Sequence, residues 1–354
     1  MSKSAAPAPP RANPIEDPVR FLELGLGLAE GATGGLARAL AERALARHGD
    51  DPRWQALAGT VLRHDVPDFH ARMLRDHARN AAYRAAIERL ARGRVVLDIG
   101  TGSGLLAMMA ARAGAAHVYA CEASPLLAAS ARAVIAANGL ADRITLFDRH
   151  STALDRVRDL GGGVDLVVSE VFCHTLIGEG VLGSLSHARA ELAAPGALFV
   201  PERASIEVAL AQFPPFTADI SAVEGFDLGA FRPHLHTARW CPADSPALHL
   251  HSAPASLFAF DFNTGALDPV GAGEARLVST GGTVNGLAQW LRLTFADGIA
   301  YENRPGSASD LHWMIGLAPG ATCETAPGDH FRAGGAYAAD TLSLWCAPED
   351  AGRA

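Results

Sequence analysis

Residues 94–114, RVVLDIGTGSGLLAMMAARAG, constrain the fold more than any other stretch of the chain. A short apolar run ends in an acid, a loop with alternating glycines follows, and then comes a helical pattern rich in small residues. The order strand, glycine loop, helix places a ligand against bare backbone at the carboxyl edge of a parallel sheet. HVYACE, PLLAASARAVIAANG, ITLFD and VDLVVSE continue the alternation of strand and helix. The region therefore reads as α/β, a Rossmann-like doubly wound parallel sheet.

The glycine spacing discriminates between ligands. A dinucleotide loop has the pattern G-x-G-x-x-G, whose third glycine lets the helix pack closely on the strand, but Leu105 holds that place here. The pattern is instead D-x-G-x-G-x-G, made by Asp98, Gly100, Gly102 and Gly104. Glu122 ends the next strand, where a carboxylate can accept both hydroxyls of a ribose.

Around this unit the texture changes twice. Residues 1–14 are rich in Ala and Pro and read as a disordered tail. Residues 15–66 hold helical segments bounded by Gly, Asp and Pro, a small helical module. FHARMLRDHARNAAYRAAIERL, residues 69–90, reads as one helix with Phe69, Met73 and Ile87 on its core face. After Pro201, short runs such as IEVALAQF, SLFAFDF, EARLVST, AQWLRLTF and TLSLWC are separated by turn residues, which predicts an antiparallel β-barrel or sandwich. The expected division is 15–66, 67–200 and 201–354, with a helical excursion at about 214–234.

With 354 residues and 49% hydrophobic content, the chain can give two domains a core each. A formal net charge of -8 argues against a nucleic-acid coat and suits a cationic small molecule or basic peptide. The chain shows no apolar run of about eighteen residues and no secretory leader, so a cytoplasmic protein without membrane contact is expected. Its five cysteines are scattered without a C-x-x-C pair and indicate neither a disulfide framework nor a metal site.

SEVFCHTLIGEG, residues 169–180, then carries Glu170 and Glu179 in the loop after a buried strand. An isolated carboxylate at a sheet edge is costly, so a cationic group is expected between the two.

Three separated segments carry a family resemblance. D-x-G-x-G-x-G resembles the first motif of the S-adenosylmethionine-dependent methyltransferases. SEVFCHTLIGE resembles the double-glutamate loop of the protein arginine methyltransferases, FHARMLRDHARNAAYRAAI is similar to their N-terminal helix, and LHWM (311–314) to their Thr-His-Trp loop. The resemblance runs from about Phe69 to the C-terminus. RHST (149–152) and LIGEG (176–180) are most similar to the monomethylating, type III branch.

The resemblance implies S-adenosyl-L-methionine as cofactor, S-adenosyl-L-homocysteine as its product, no metal, and arginine as methyl acceptor. A guanidinium stays protonated at neutral pH and its nitrogens are poor nucleophiles. Two carboxylates facing it draw charge toward the nitrogens they bind, leaving the third for the methyl group. Glu170 and Glu179 would hold the substrate, Met73 would line the transfer pocket and Trp313 would wall the arginine side chain. Asp76 and His312 would relay the departing proton. His70, Arg79, Asp98, Gly100, Gly102, Gly104, Glu122 and Thr152 would serve the cofactor, Arg79 by pairing with its carboxylate. The segment at 214–234 corresponds to the family's dimerisation arm and implies a homodimer.

Taken singly these residues have plainer readings. Asp76 and Arg79 make a solvated intrahelical ion pair, Met73 is core, His312 and Trp313 are strand residues, and Cys173 and His174 are loop residues without a role. The chain also departs from the family. VLRHDVPDF lacks the tyrosines that precede the first helix, Leu311 replaces a threonine, and the helical module becomes the expected closure over the groove. The acceptor is therefore free L-arginine, yielding N-omega-monomethyl-arginine, or else peptidyl arginine. A catalytically silent scaffold is the reading from another class, disfavoured because it has no need for a buried pair of like charges. An NAD-linked oxidoreductase is disfavoured by Leu105.

Overall fold

The computed structural model describes residues 13–349, except 65, 67–68, 216–219, 221, 236–238 and 308–310. Most of the Ala/Pro-rich tail and parts of the 214–234 segment lie outside the described residues. Helices Pro18–Ala29 (α1), Gly34–His48 (α2) and Pro52–Leu62 (α3) form the N-terminal module. Asp17 and Asp51 cap α1 and α3, each followed by a proline at the first helical turn, where its missing N–H costs nothing. Phe21, Ala37, Ala41, Trp54, Ala58 and Val61 make a small core of their own.

Residues 69–90 do not form one helix. Helix Phe69–Arg75 (α4) stops, and His77–Leu90 (α5) begins after Asp76. Asp76 has non-helical backbone angles and its Oδ1 accepts the Arg79 N–H at 2.9 Å. The aspartate acts as an N-cap, as its type favours, and leaves its second oxygen free for a tertiary partner.

The parallel sheet comprises Val95–Ile99 (β1), His117–Cys121 (β2), Ile144–Phe147 (β3), Val164–Ser169 (β4) and Ala193–Val200 (β5), in the order β3-β2-β1-β4-β5. Leu105–Arg112 (α6), Pro125–Ala137 (α7) and Val181–His187 (α8) lie among the crossovers. Order reverses beside β1, so the carboxyl ends of β1, β2 and β4 open one crevice.

The second sheet is antiparallel and runs Thr341–Pro348 (β13), Ile315–Ala338 (β12), Val270–Thr294 (β10), Arg203–Gln212 (β6) and His249–Leu250 (β8). Arg239–Cys241 (β7), Ala255–Asp261 (β9) and Ala300–Glu302 (β11) pair at its sides. EARLVST and AQWLRLTF, expected as separate strands, are one 25-residue strand, β10. The Gly-Gly between them is no hairpin turn. Register shifts at Val278/Thr280 and Val284/Gly286 mark bulges, and positive φ at Gly281 and Gly282 lets the strand bend there.

Among the described residues of 214–234, the expected helical excursion is reduced to a 3-10 turn at Gly229–His234 and a tight turn bridging Val223 and Phe226. Short Gly-punctuated segments cannot sustain a longer helix. One continuous apolar core joins the two sheets, from Val96 and Leu166 through Phe172 and Ile177 to Trp290 and Ile315. The loop after β4 is thus packed from both sides.

Candidate active site

A cavity of about 430 Å³ opens at the carboxyl ends of β1, β2 and β4. Gly100, Gly102 and Glu122 line it, as do His70 and Met73 from α4, Arg79 from α5, and Glu170 and Glu179. Gly100 has φ +68° and a Cβ there would collide with Val171, so backbone approaches the cavity where no other residue fits. Glu122 braces the same loop, its two oxygens accepting the N–H groups of Gly102 at 3.0 Å and Ser124 at 2.9 Å.

Two of the expected cofactor residues act from behind the loop. Buried Asp98 Oδ2 accepts from Thr101 Oγ1 at 2.6 Å and the Ala107 N–H at 3.0 Å. Burial pushes its carboxyl up to about 6 despite those bonds. Gly104 starts α6 in the left-handed region, with Ile135 where its Cβ would stand. Neither residue lines the cavity. Thr152 does not either; its neighbours His150 and Ser151 do. His70 faces inward, where burial lowers its imidazole even with Glu122 and Glu170 nearby.

Arg79 is not a solvated partner of Asp76. Its Nη2 lies 2.7 Å from Glu170 Oε2, with both side chains about 95% removed from solvent. Burial alone would raise Glu170, but Arg79 and then His312 outweigh it and hold the carboxyl below its ordinary value. The same pairing holds Arg79 above its ordinary value against desolvation. Glu179, by contrast, is exposed at the cavity mouth with φ +65° and has no ion pair among the described residues. Partial desolvation, then the charges of Glu170 and Asp340, raise its carboxyl. The glutamates are therefore not a buried like-charged pair: one is buried and neutralised, the other waits in solvent.

Asp76 and His312 meet as expected. His312 Nδ1 lies 3.1 Å from Asp76 Oδ2, and Nε2 lies 3.6 Å from Glu170 Oε1. The two carboxylates overcome burial and raise the imidazole above its ordinary value. Tyr301 also donates its hydroxyl to Asp76 Oδ2, and Asn303, fully buried, donates to the carbonyls of Trp313 and Met314. Nothing in the sequence around Tyr301 and Asn303 announces these bonds. Trp313 is 2% exposed and packs against Phe172, Tyr301 and His312, so it supports the site without lining the cavity.

The second domain shapes the double-glutamate loop. Trp313 Nε1 donates to the Phe172 carbonyl at 3.0 Å, Gln289 Nε2 to the His174 carbonyl at 3.1 Å, and Gly180 N–H to Asp340 at 3.0 Å. His174 Nδ1 accepts the Met314 N–H at 3.1 Å, a bond that requires the neutral ring with its proton on Nε2. Burial lowers this histidine to about 4, consistent with that form. His174 is a tie between the domains rather than a loop residue without a role. The N-terminal module does not close the groove: no residue of α1 to α3 lines the cavity. It packs on α7, where Leu126 joins its core and Arg38 Nη1 donates to Ser130 at 2.8 Å.

S-adenosylmethionine fits these residues. Arg79 Nε and Ser151 Oγ are buried without a hydrogen-bond partner, and both residues line the cavity. An amino-acid carboxylate and polar nucleoside atoms supply what such atoms lack. Among the described residues no helix is long and apolar enough to cross a membrane, and no group of three or more His, Cys, Asp or Glu could hold a metal.

Residues 82–189 match the family described as ribosomal protein L11 methyltransferase (PrmA). The chain is 41% identical over 267 residues to an arginine N(omega)-methyltransferase of Streptomyces achromogenes subsp. streptozoticus, covering 73% of each protein. It is 42% identical over 149 residues to protein arginine N-methyltransferase 7 of Drosophila erecta, covering 40% of this chain and 22% of the fly protein. Among solved structures, the Trypanosoma brucei PRMT1 enzyme-prozyme complex with AdoHcy aligns with a TM-score of 0.71 at 24% identity, covering 81% of this chain and 94% of that one. Protein arginine methyltransferase 10 of Arabidopsis thaliana aligns with 0.63 at 20% identity, covering 78% and 96%. These two likenesses establish the fold, and the bacterial relative extends across most of the chain. The chain therefore belongs to the protein arginine methyltransferase family, as an S-adenosylmethionine-dependent arginine N-methyltransferase.

Proposed function

We propose that the acceptor is free L-arginine and that the product is N-omega-monomethyl-arginine. The supporting observation is the extent of the match to a relative named for arginine rather than for protein arginine, 267 residues against the 149 shared with the fly enzyme. The bound cofactor would supply an electrophilic methyl group.

The chain's own residues would do the rest. Glu170 Oε1, buried and without a hydrogen-bond partner, is available to a substrate N–H, and Glu179 provides a second acceptor from the mouth. Charge drawn toward the nitrogens they hold leaves the remaining one richer in electron density. Met73, buried on α4, limits the room beside it. The proton released from the guanidinium passes to Glu170 Oε1, then to His312 Nε2, whose opposite nitrogen faces Asp76. Arg79, Gly100, Gly102, Glu122 and His70 would hold the cofactor, with Asp98, Gly104 and Thr152 fixing the backbone around it.

A homodimer belongs to the same reading. Val223, Phe226, Leu228 and Phe231 stand exposed on the 222–231 segment, Phe226 at 70%, an apolar group that a second copy would cover. Sedimentation of the wild type and of a Phe226→Asp, Phe231→Asp double variant tests it; a concentration-independent monomer in the wild type would refute it.

Mass spectrometry of products formed from L-arginine and from an arginine-rich peptide tests the acceptor. A single methyl on free arginine, absent with Glu179→Gln, is the expected result. Methylation of the peptide alone would assign the chain to peptidyl arginine, and methylation of neither would favour a silent scaffold.

A further inference from the structure

Met73 turns from α4 into the cavity, and the next residue toward the N-terminus, Arg72, points to a different place. Its two terminal nitrogens lie 3.7 and 3.8 Å from Met314 Sδ. Met314 directly follows His312 and Trp313, and its N–H is held by His174 from the loop between the two glutamates. The Arg72 guanidinium therefore stands where three segments meet: the helix that carries Met73, the loop that carries His312, and the double-glutamate loop. Its charge reaches His174, adding to the burial that lowers that ring.

Arg72 is exposed, and a thioether is its one polar neighbour among the described residues. A thioether is a weak acceptor. The acids of the site are engaged elsewhere or reserved: Glu170 with Arg79 and His312, Asp340 with the Gly180 N–H, and Glu179 at the mouth. Among the described residues no carboxylate meets this planar guanidinium fork, which is shaped to bind one.

We infer that Arg72 binds the α-carboxylate of free L-arginine and so selects the amino acid over peptidyl arginine. The inference rests on the free-arginine reading above. When the substrate guanidinium lies against Glu170 and Glu179, its one anionic group is at the far end of the side chain, outside the cavity. An arginine within a peptide has no such group, and a basic peptide would meet the exposed positive charge of Arg72 beside the loop that carries His312.

Agmatine, which keeps the guanidino chain and lacks the carboxylate, separates the contributions. Wild type, Arg72→Gln, Arg72→Lys and the control Arg75→Gln are compared by kcat and KM on L-arginine and on agmatine. Binding of S-adenosylhomocysteine checks that each variant is folded. The wild type is expected to prefer L-arginine. Arg72→Gln raises KM for L-arginine by about 10- to 100-fold, the range for a hydrogen bond to a charged group, with kcat within about twofold. Its constants for agmatine stay unchanged, Arg72→Lys is intermediate, and Arg75→Gln matches the wild type.

An equal loss on both substrates, or no loss on either, overturns the inference while leaving the free-arginine reading intact. A wild type that methylates peptide and neither small molecule overturns that reading, and the inference with it, before any variant is compared.

Discussion

Arg79 Nη2 and Glu170 Oε2 form a buried ion pair at 2.7 Å, tying the helix after Asp76 to the loop that begins the double-glutamate motif. Both residues line the cavity, so under the proposed function the pair would connect the cofactor with the substrate. Removing either partner would strand the other charge out of water. Arg79→Met is expected to destabilise the protein by about 3–5 kcal/mol, as other broken buried pairs do, with a corresponding fall in the urea midpoint. A loss below about 1 kcal/mol, the range of surface pairs, would show that solvent reaches Glu170.

The two glutamates should separate in their effects. Glu179 is exposed and has no ion pair among the described residues, so Glu179→Gln should leave thermal stability unchanged while lowering kcat/KM by about 100- to 1,000-fold, the loss typical of a charge-stabilising group. Glu170→Gln should reduce activity as strongly and also lower the melting temperature, because Arg79 loses its counter-ion. Equal melting temperatures for the two variants would contradict the asymmetry.

His312 lies between two carboxylates and its pKa is raised. Its contribution to stability is fully present below the ordinary histidine value of about 6.5 and disappears as pH rises through the raised folded value. Glu170, whose folded value is lowered, contributes above its unfolded value and loses that contribution as acid carries pH through the folded one. Stability from this cluster is therefore lost at both ends. The proposed proton path needs the neutral ring to accept a proton, so kcat should rise with pH along a limb above 6.5. Asp76→Asn keeps a helix cap but removes one charge. It should move the limb to lower pH, and an unmoved limb would remove His312 from the proton path.

Gly34 begins α2 against the first turn of α7, where a Cβ would collide with the backbone of Leu126. Gly34→Ala should loosen the module from the parallel-sheet domain and cost about 1–3 kcal/mol, the usual range for overpacking. Faster tryptic cleavage after Arg63, with unchanged cofactor affinity, would report it. Weakened cofactor binding would instead show that the module controls the cavity through Ser124, which caps α7, and Leu127 in its first turn, both of which line it.

Local signals were the legible ones. The switch between strand and helix periods announced the parallel sheet, and D-x-G-x-G-x-G announced the glycine loop that edges the cavity, because left-handed backbone at Gly100 is a demand on that residue itself. The helix break at Asp76 could also have been read, since an aspartate before a helical run is a strong cap. The Gly-Gly in β10 misled, because the same φ serves a turn and a bulge.

The sequence by itself determined the fold class, the cofactor motif and the identity of the acidic loop, all carried by residues close along the chain. Only the tertiary structure decided that Glu170 is neutralised and Glu179 is not, that Asp76 reaches His312 across 236 positions, and that Tyr301 completes that contact. It also decided that, among the described residues, a thioether is the one polar neighbour of Arg72. Charge pairing depends on distance and on exclusion of water. Neither is set until the second sheet has packed against the first.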